Sequence, residues 1–345
     1  MRNGFAILLG LFLLAGAGCG GGNGGNNANK VVLFDVTDLG ALPGLPVTYA
    51  RGISPDGRVV GAAVSADGAV THAFVFQNGA AADVTSAGGT DSVASYSNGN
   101  QLVAGAARVS NGAYVHGYIL QGGSRTDVGT LGGANSTVVW INDMGVAVGS
   151  SEMANGFEHA ISYSAGVLRD LGTLGGRVSA ATAVNNTGQI TGSSTMAGGA
   201  NHAFLVSNGV MSDIGLPAGA VSDIGFALNR LGHVTGCAAR ADGTVRAFLY
   251  TGAGTPADLG VLPGFQNSVA LGINDSGSVV GNAFTSAGEN HAFIYAQGTM
   301  TDLNSVIPSN SGWVLQVAAG INSTGQICGT GQINGATHAF LLKPR

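Results

Sequence analysis

Charge is scarce in this chain: only 9% of its 345 residues are charged, against about 25% in an ordinary soluble domain. The only lysines are Lys30 and Lys343, the arginines are scattered, and the formal net charge is −5. No basic face can be assembled from them, which argues against a nucleic-acid partner. Cysteine is nearly absent, with Cys19, Cys237 and Cys328 only, so a disulfide-built fold is excluded. No stretch after the leader keeps a helical period between caps. The one long apolar run, Phe5 to Leu14, is too short to cross a bilayer. A nucleophile elbow, a phosphate loop and a metal-ligand signature are missing as well.

What the chain has instead is glycine, 60 residues of it, and a repeat. An Asp-Leu-Gly element recurs at Asp38, Asp83, Asp127, Asp170, Asp213, Asp258 and Asp302, with spacings of 45, 44, 43, 43, 45 and 44 residues. A period this steady marks an array of supersecondary units. A His-Ala-Phe element recurs at His72, His116, His159, His202, Arg246, His291 and His338, each 11 residues before the next Asp, or 12 for Arg246. The last copy would need an Asp at position 349, beyond Arg345. A spare copy opens the repeat region, Phe34-Asp-Val-Thr-Asp38-Leu-Gly, and closes a ring if it pairs into the final unit.

Within a unit, alternation and β-branched content give four short strands separated by turns such as Asn274-Asp-Ser-Gly277. Four strands in about 44 residues fit a propeller blade. The expectation is an all-β, seven-bladed β-propeller of four-stranded blades over residues 31–345, closed by the N-terminal strand. An open solenoid has no use for a split terminal repeat.

Ahead of the repeats, residues 1–18 read as an export signal. Ala15-Gly-Ala-Gly-Cys19 resembles a bacterial lipobox, although Gly16 stands where Leu is usual. That resemblance implies that Cys19 is the first mature residue and carries a lipid. Residues 19–30 suit a flexible tether, the ten Gly- and Asn-rich residues from Gly20 to Asn29 reaching about 17 Å. Cys237 and Cys328 fall two positions out of step in the repeat and two units apart, so both are expected as buried small side chains rather than a disulfide.

Six histidines at equivalent positions raise the possibility of a metal ring. Their place at the start of the third strand spreads them around the ring, so each is expected to bond the Asp 11 residues later within its own blade. No metal or other cofactor is expected. Seven of the 18 acids are the repeat Asp, and Asp56, Asp143 and Asp275 sit in turns. The rest, including Glu152, Glu158 and Glu289, are scattered, whereas acid–base catalysis needs a converging pair.

The repeat is broken at two places. Before the Ile of the innermost strand stand Gly52, Tyr96, Trp140, Ala183, Ala227, Gly272 and Gly320, so two neighbouring units carry large aromatics. Tyr96 and Trp140 are candidates for stacking on a ligand, or for filling space between blades. The crossing from Asp302 to Ile321 is longer than the others and contains Ser309-Asn-Ser-Gly-Trp313. Trp313 is a third candidate, on a loop that either binds or seals the closure.

His-Ala-Phe at His72, His202, His291 and His338, together with Asp-Leu-Gly and Ile-Asn-x-x-Gly-x-Val-x-Gly, resembles the HAF family of probable extracellular repeats found in bacteria. The resemblance covers almost all of the chain after Asn29 and implies an exported envelope or surface protein, with no agreed activity. Ile53-Ser-Pro-Asp-Gly-Arg-Val-Val also looks like a single repeat of TolB-type propellers. The resulting expectation is a non-catalytic, envelope-tethered binding or scaffold protein, monomeric, anchored by its lipid and facing a glycan or protein ligand from the crossings and second-to-third-strand loops. Its alternatives are a propeller enzyme acting on polysaccharide and a purely structural surface protein.

Overall fold

The computed structural model describes residues 33–85, 91–109 and 112–345. The expected export signal, Cys19 and the expected tether lie outside the described residues. Each repeat unit forms one four-stranded antiparallel sheet, seven among the described residues. Blade one is Val47–Ile53, Val59–Val64, Thr71–Gln77 and Ala80–Asp83, and the inner strands of blades two to seven begin at Ser92, Gly132, Gly175, Ala220, Asn267 and Trp313. The seventh sheet draws its outer strand from the start of the repeats: Phe34–Asp38 pairs antiparallel with Ala336–Pro344, Asp38 facing Phe340. The molecule is a seven-bladed β-propeller closed by its N-terminal strand.

Each motif residue has a local reason. In the first hairpin turn of blade three, Asn142 Oδ1 accepts the Val146 N–H at 2.9 Å, and Gly145 takes φ +76°, a conformation favoured by glycine. Just before that turn, the pairing of first and second strands slips by one residue in every blade, as between Ala50 and Gly52 or Ala270 and Gly272. This β-bulge explains the Val-Val-Gly glycine. A Cβ on Gly281 would stand 1.9 Å from the Val269 carbonyl oxygen, so no side chain fits opposite the bulge. The Phe of His-Ala-Phe packs over the same spot, and Phe74, Phe204, Phe248, Phe293 and Phe340 are fully buried.

Two hydrogen-bond systems join the blades. In the first, an inner-strand hydroxyl staples the preceding blade: Ser179 accepts the Ala160 N–H at 2.8 Å and donates to the Gly172 carbonyl at 2.6 Å. Thr48, Ser136 and Ser268 do the same for Ala339, Gly117 and Ala247. In the second, the Asn of Ile-Asn donates from Nδ2 to the carbonyl of the next blade's turn. The links run from Asn98 to Asn142, Asn185, Asn229, Asn274, Asn322 and finally Ser54, at 2.8 to 3.3 Å. Six amides thus form a belt around one mouth of the ring. Its last link joins blade seven to blade one.

The long crossing after Asp302 forms a 3-10 turn, Leu303–Ser305, and buries Val306 and Ile307 in one cluster with Phe34 of the closing strand. The Val306 carbonyl accepts the Leu33 N–H at 2.9 Å. These extra residues seal the closure. Cys237 and Cys328 are buried and unbonded, and burial pushes both thiols up to about 12, which keeps them unreactive.

Candidate functional site

The seven bulges aim the ends of the inner strands at the ring axis. There a cavity of about 340 Å³ opens among the first-to-second-strand turns, between Asn98, Asn142, Asn185, Asn229, Asn274 and Asn322 of the belt. The two large aromatics meet in it. Tyr96 and Trp140, from adjacent blades, stack with ring centroids 3.7 Å apart and planes 11° from parallel. Both are half-buried and line the cavity beside Gly52, Gly272 and Gly320 of blades one, six and seven. The Tyr96 hydroxyl titrates above its ordinary value because of burial, with the charges of Asp143 and Asp275 adding to the effect.

Arg51 lines the same cavity. It occupies the bulge position of blade one, where the other blades carry Ser95, Val139, Thr182, Phe226, Leu271 and Ala319. Burial pulls its guanidinium down to about 10, so it is a cation at neutral pH. The acids at the mouth are already engaged. Asp143 accepts from the Gly99 N–H at 2.8 Å and from Asn186 Nδ2 at 2.7 Å. Asp275 accepts from the Arg230 N–H at 3.0 Å and faces Arg230 Nε at 3.5 Å.

Trp313 is elsewhere. It starts the inner strand of blade seven, whose other end, Ile321, reaches the cavity. Eight residue steps of strand separate the two by roughly 26 Å. Its side chain is 8% exposed and meets Phe340 edge-on at 5.8 Å. This candidate is corrected to a core residue, because the long crossing that carries it is spent on sealing the ring. The cavity also lies at the end of the ring opposite the crossings and second-to-third-strand loops expected to form the binding face.

Each repeat His meets its Asp. Nδ1 lies 2.7 to 3.0 Å from the carboxylate in His72–Asp83, His116–Asp127, His159–Asp170, His202–Asp213, His291–Asp302 and His338–Asp38. The other carboxylate oxygen in most blades caps its own turn, as Asp170 does for the Gly172 N–H at 2.8 Å. Arg246 breaks the pattern by donating to the Val245 and Gln266 carbonyls, while Asp258 pairs with Arg240. In blade six the hydrogen bond to Asp302 holds the His291 imidazolium above the usual histidine value against burial. Among the described residues, no group of three or more His, Cys, Asp or Glu can hold a metal ion.

Glu152 and Glu158 turn out to be cross-strand neighbours in blade three, a pairing hidden in the sequence because the turn of residues 154–157 separates their strands. They do not converge. Glu152 accepts the Ala134 N–H at 3.1 Å, Glu158 accepts from Ser150, and Glu289 lies 3.8 Å from His291 Nε2. None of the three lines the axial cavity.

Fold and cavity together define a closed propeller with one asymmetric axial pocket. No family model matches the sequence, and no curated protein matches it either. Solved propellers resemble it in fold. TolB from Acinetobacter baumannii is 12% identical with a TM-score of 0.52, over 84% of this chain and 64% of that one. The β-propeller domain of the Trilobed protease from Pyrococcus furiosus, described as having an open velcro topology, is 13% identical with a TM-score of 0.53, over 74% and 82%. A puromycin-hydrolyzing peptidase of Mycobacterium tuberculosis gives 12% and 0.54, over 83% and 49%. The chain therefore spans under two thirds of TolB and about half of the peptidase.

Proposed function

We propose that this chain is a non-catalytic binding protein of the bacterial cell envelope, exported by residues 1–18, anchored in a membrane through lipidated Cys19, and held away from it by residues 19–30. The outer membrane or cell surface is its site of action, and it works as a monomer. Ligand binds in the axial pocket. One observation carries this reading: the sevenfold pattern is broken by two stacked aromatics, Tyr96 and Trp140, at the place where a cavity opens. An aromatic face in a concave, polar-rimmed pocket suits stacking on a ring-shaped ligand. The reading is non-catalytic because Asp143 and Asp275, the acids at the mouth, are held by donors of neighbouring turns.

Tryptophan fluorescence tests it. The chain has two tryptophans, and Trp313 is buried in blade seven, so a ligand-dependent change reports on Trp140. Titrating the full chain with glycans and envelope extracts is expected to give a saturable shift that survives Trp313→Phe and disappears in Trp140→Phe. A flat response from the folded protein would transfer the function to another surface.

A further inference from the structure

Resting on the lipid anchor at Cys19 proposed above, we infer that the mouth face of the ring lies on the membrane, with turn tips of blades three, four and five dipping among the lipid headgroups. Strand direction fixes which residues share that face. Inner strands run towards the mouth, so the first-to-second-strand and third-to-fourth-strand turns both end there, while the crossings and second-to-third-strand loops end on the other side. The outer strand of blade seven, Phe34–Asp38, runs away from the mouth. The chain ahead of Leu33 therefore leaves from the mouth face.

The tips on this face differ by sector. In the first turn, the third residue is Met144 in blade three and Leu231 in blade five, against Asp56, Asn100, Thr187, Ser276 and Thr324 elsewhere. At the second turn, three residues before the repeat Asp, blades three and four carry Val167 and Val210, against Asp35, Ala80, Ser124, Thr255 and Thr299. Met144, Leu231, Val167 and Val210 are 70%, 59%, 48% and 64% exposed. A single exposed aliphatic side chain is ordinary, but four on one face of three adjacent blades make an apolar edge of the kind that enters a lipid interface.

Length and charge choose a lipid surface as the occupant. Fourteen residue steps join Cys19 to Leu33, and a Gly- and Asn-rich chain of that length spans about 20 Å root-mean-square. The ten-residue inner strand Gly132–Ile141 gives the ring a depth of about 30 Å, so an anchored head turns its mouth face to the bilayer. The anchor limits how far the head strays, and the aliphatic tips, across the ring from blade seven, bring the face down flat. Acids on this face are paired: Asp35 and Asp275 meet Arg345 and Arg230 at 2.7 and 3.5 Å. The opposite face also exposes Tyr114 and Phe157, but its loops carry exposed Asp67, Asp242 and Glu289, which anionic headgroups repel. The axial pocket then opens onto the headgroup region.

Labelled cysteines test the orientation, because Cys237 and Cys328 are buried. The full chain carrying Leu231→Cys, Val210→Cys or, on the opposite face, Tyr114→Cys is labelled with an environment-sensitive dye. It is then added to vesicles of phosphatidylethanolamine and phosphatidylglycerol containing a lipid spin-labelled on its acyl chain. Expected are a blue shift and loss of most of the emission at positions 231 and 210, with little change at position 114. Met144→Glu combined with Leu231→Glu is expected to return the label at position 210 to water while the chain stays on the vesicles through Cys19. Quenching at position 114 alone, or at none of the three on vesicle-bound protein, would overturn the orientation and leave the anchor standing. A blue shift at positions 231 and 210 before vesicles are added would overturn it in favour of a second copy of the chain. Protein that stays in solution would overturn it too, and the mass of the N-terminal peptide then tells whether the lipid on Cys19 fails with it.

Discussion

A single carboxylate shows how finely the repeat is tuned. Asp223 stands at the staple position of blade five, where four other seams use a Ser or Thr hydroxyl that both accepts and donates. Its Oδ1 accepts the Ala203 N–H at 2.8 Å. Its Oδ2 is buried without a partner, in a residue 1% exposed. A carboxylate cannot send the second bond that Ser179 sends to Gly172. Burial pushes its pKa up to about 6, opposed by the Ala203 N–H and His202 and reinforced by Asp213. The folded protein therefore holds a proton between about pH 4 and 6 that the unfolded chain releases, so this residue costs stability as pH rises through that window. Asp223→Ser is expected to stabilise the protein at pH 7.5 by on the order of 1–3 kcal/mol, and by much less at pH 4.5. Urea unfolding at the two pH values measures this; an equal gain at both would sink the account. The His–Asp pairs were legible residue by residue because each depends on one hairpin and an 11-residue spacing. Asp223 was not, since its burden comes from a seam between blades.

At the scale of the strand and hairpin, the bulge is the working part. It lets a strand with ordinary alternation change sides in its last two residues, and so brings Arg51, Tyr96 and Trp140 to the axis. Sequence showed the aromatics as an interruption of a repeat but passed over Arg51, because a lone arginine in an alternating strand looks like any solvated side chain. The comparison of seven bulge positions was the signal that could have found it. The glycine opposite each bulge is the test. Gly281→Ala forces a Cβ against the Val269 carbonyl and is expected to cost about 2–4 kcal/mol. Gly298→Ala, at φ +80° with nothing within 4 Å of the added atom, is expected to cost about 1 kcal/mol. Chemical denaturation of the two variants checks the ranking, and equal costs would count against the bulge as the cause.

For the whole molecule, the ring is held by its closing strand. Blade seven joins residues about 300 apart in sequence, through His338 with Asp38 and Ala339 with Thr48, and the amide belt closes at Ser54. Removing residues 1–38 strips Asp38 from His338 and leaves the third strand of blade seven as an open edge. The midpoint of thermal unfolding is expected to fall by at least about 5 °C, and the protein is expected to form dimers or larger species by edge pairing, seen in light scattering. A monomer with an unchanged midpoint would mean that closure contributes little.

Number of blades, strands per blade, the split last blade and the His–Asp pairing were all determined by the sequence itself. Each rests on contacts that recur within one repeat, so seven copies report the same hydrogen bonds and turns seven times. Only the tertiary structure decided what meets at the centre. It stacked Tyr96 on Trp140, placed Arg51 beside them, buried Trp313 at the far end of its strand and set Glu152 against Glu158. Those outcomes depend on how seven bulged strands converge around one axis, a distance-spanning geometry that no single repeat encodes.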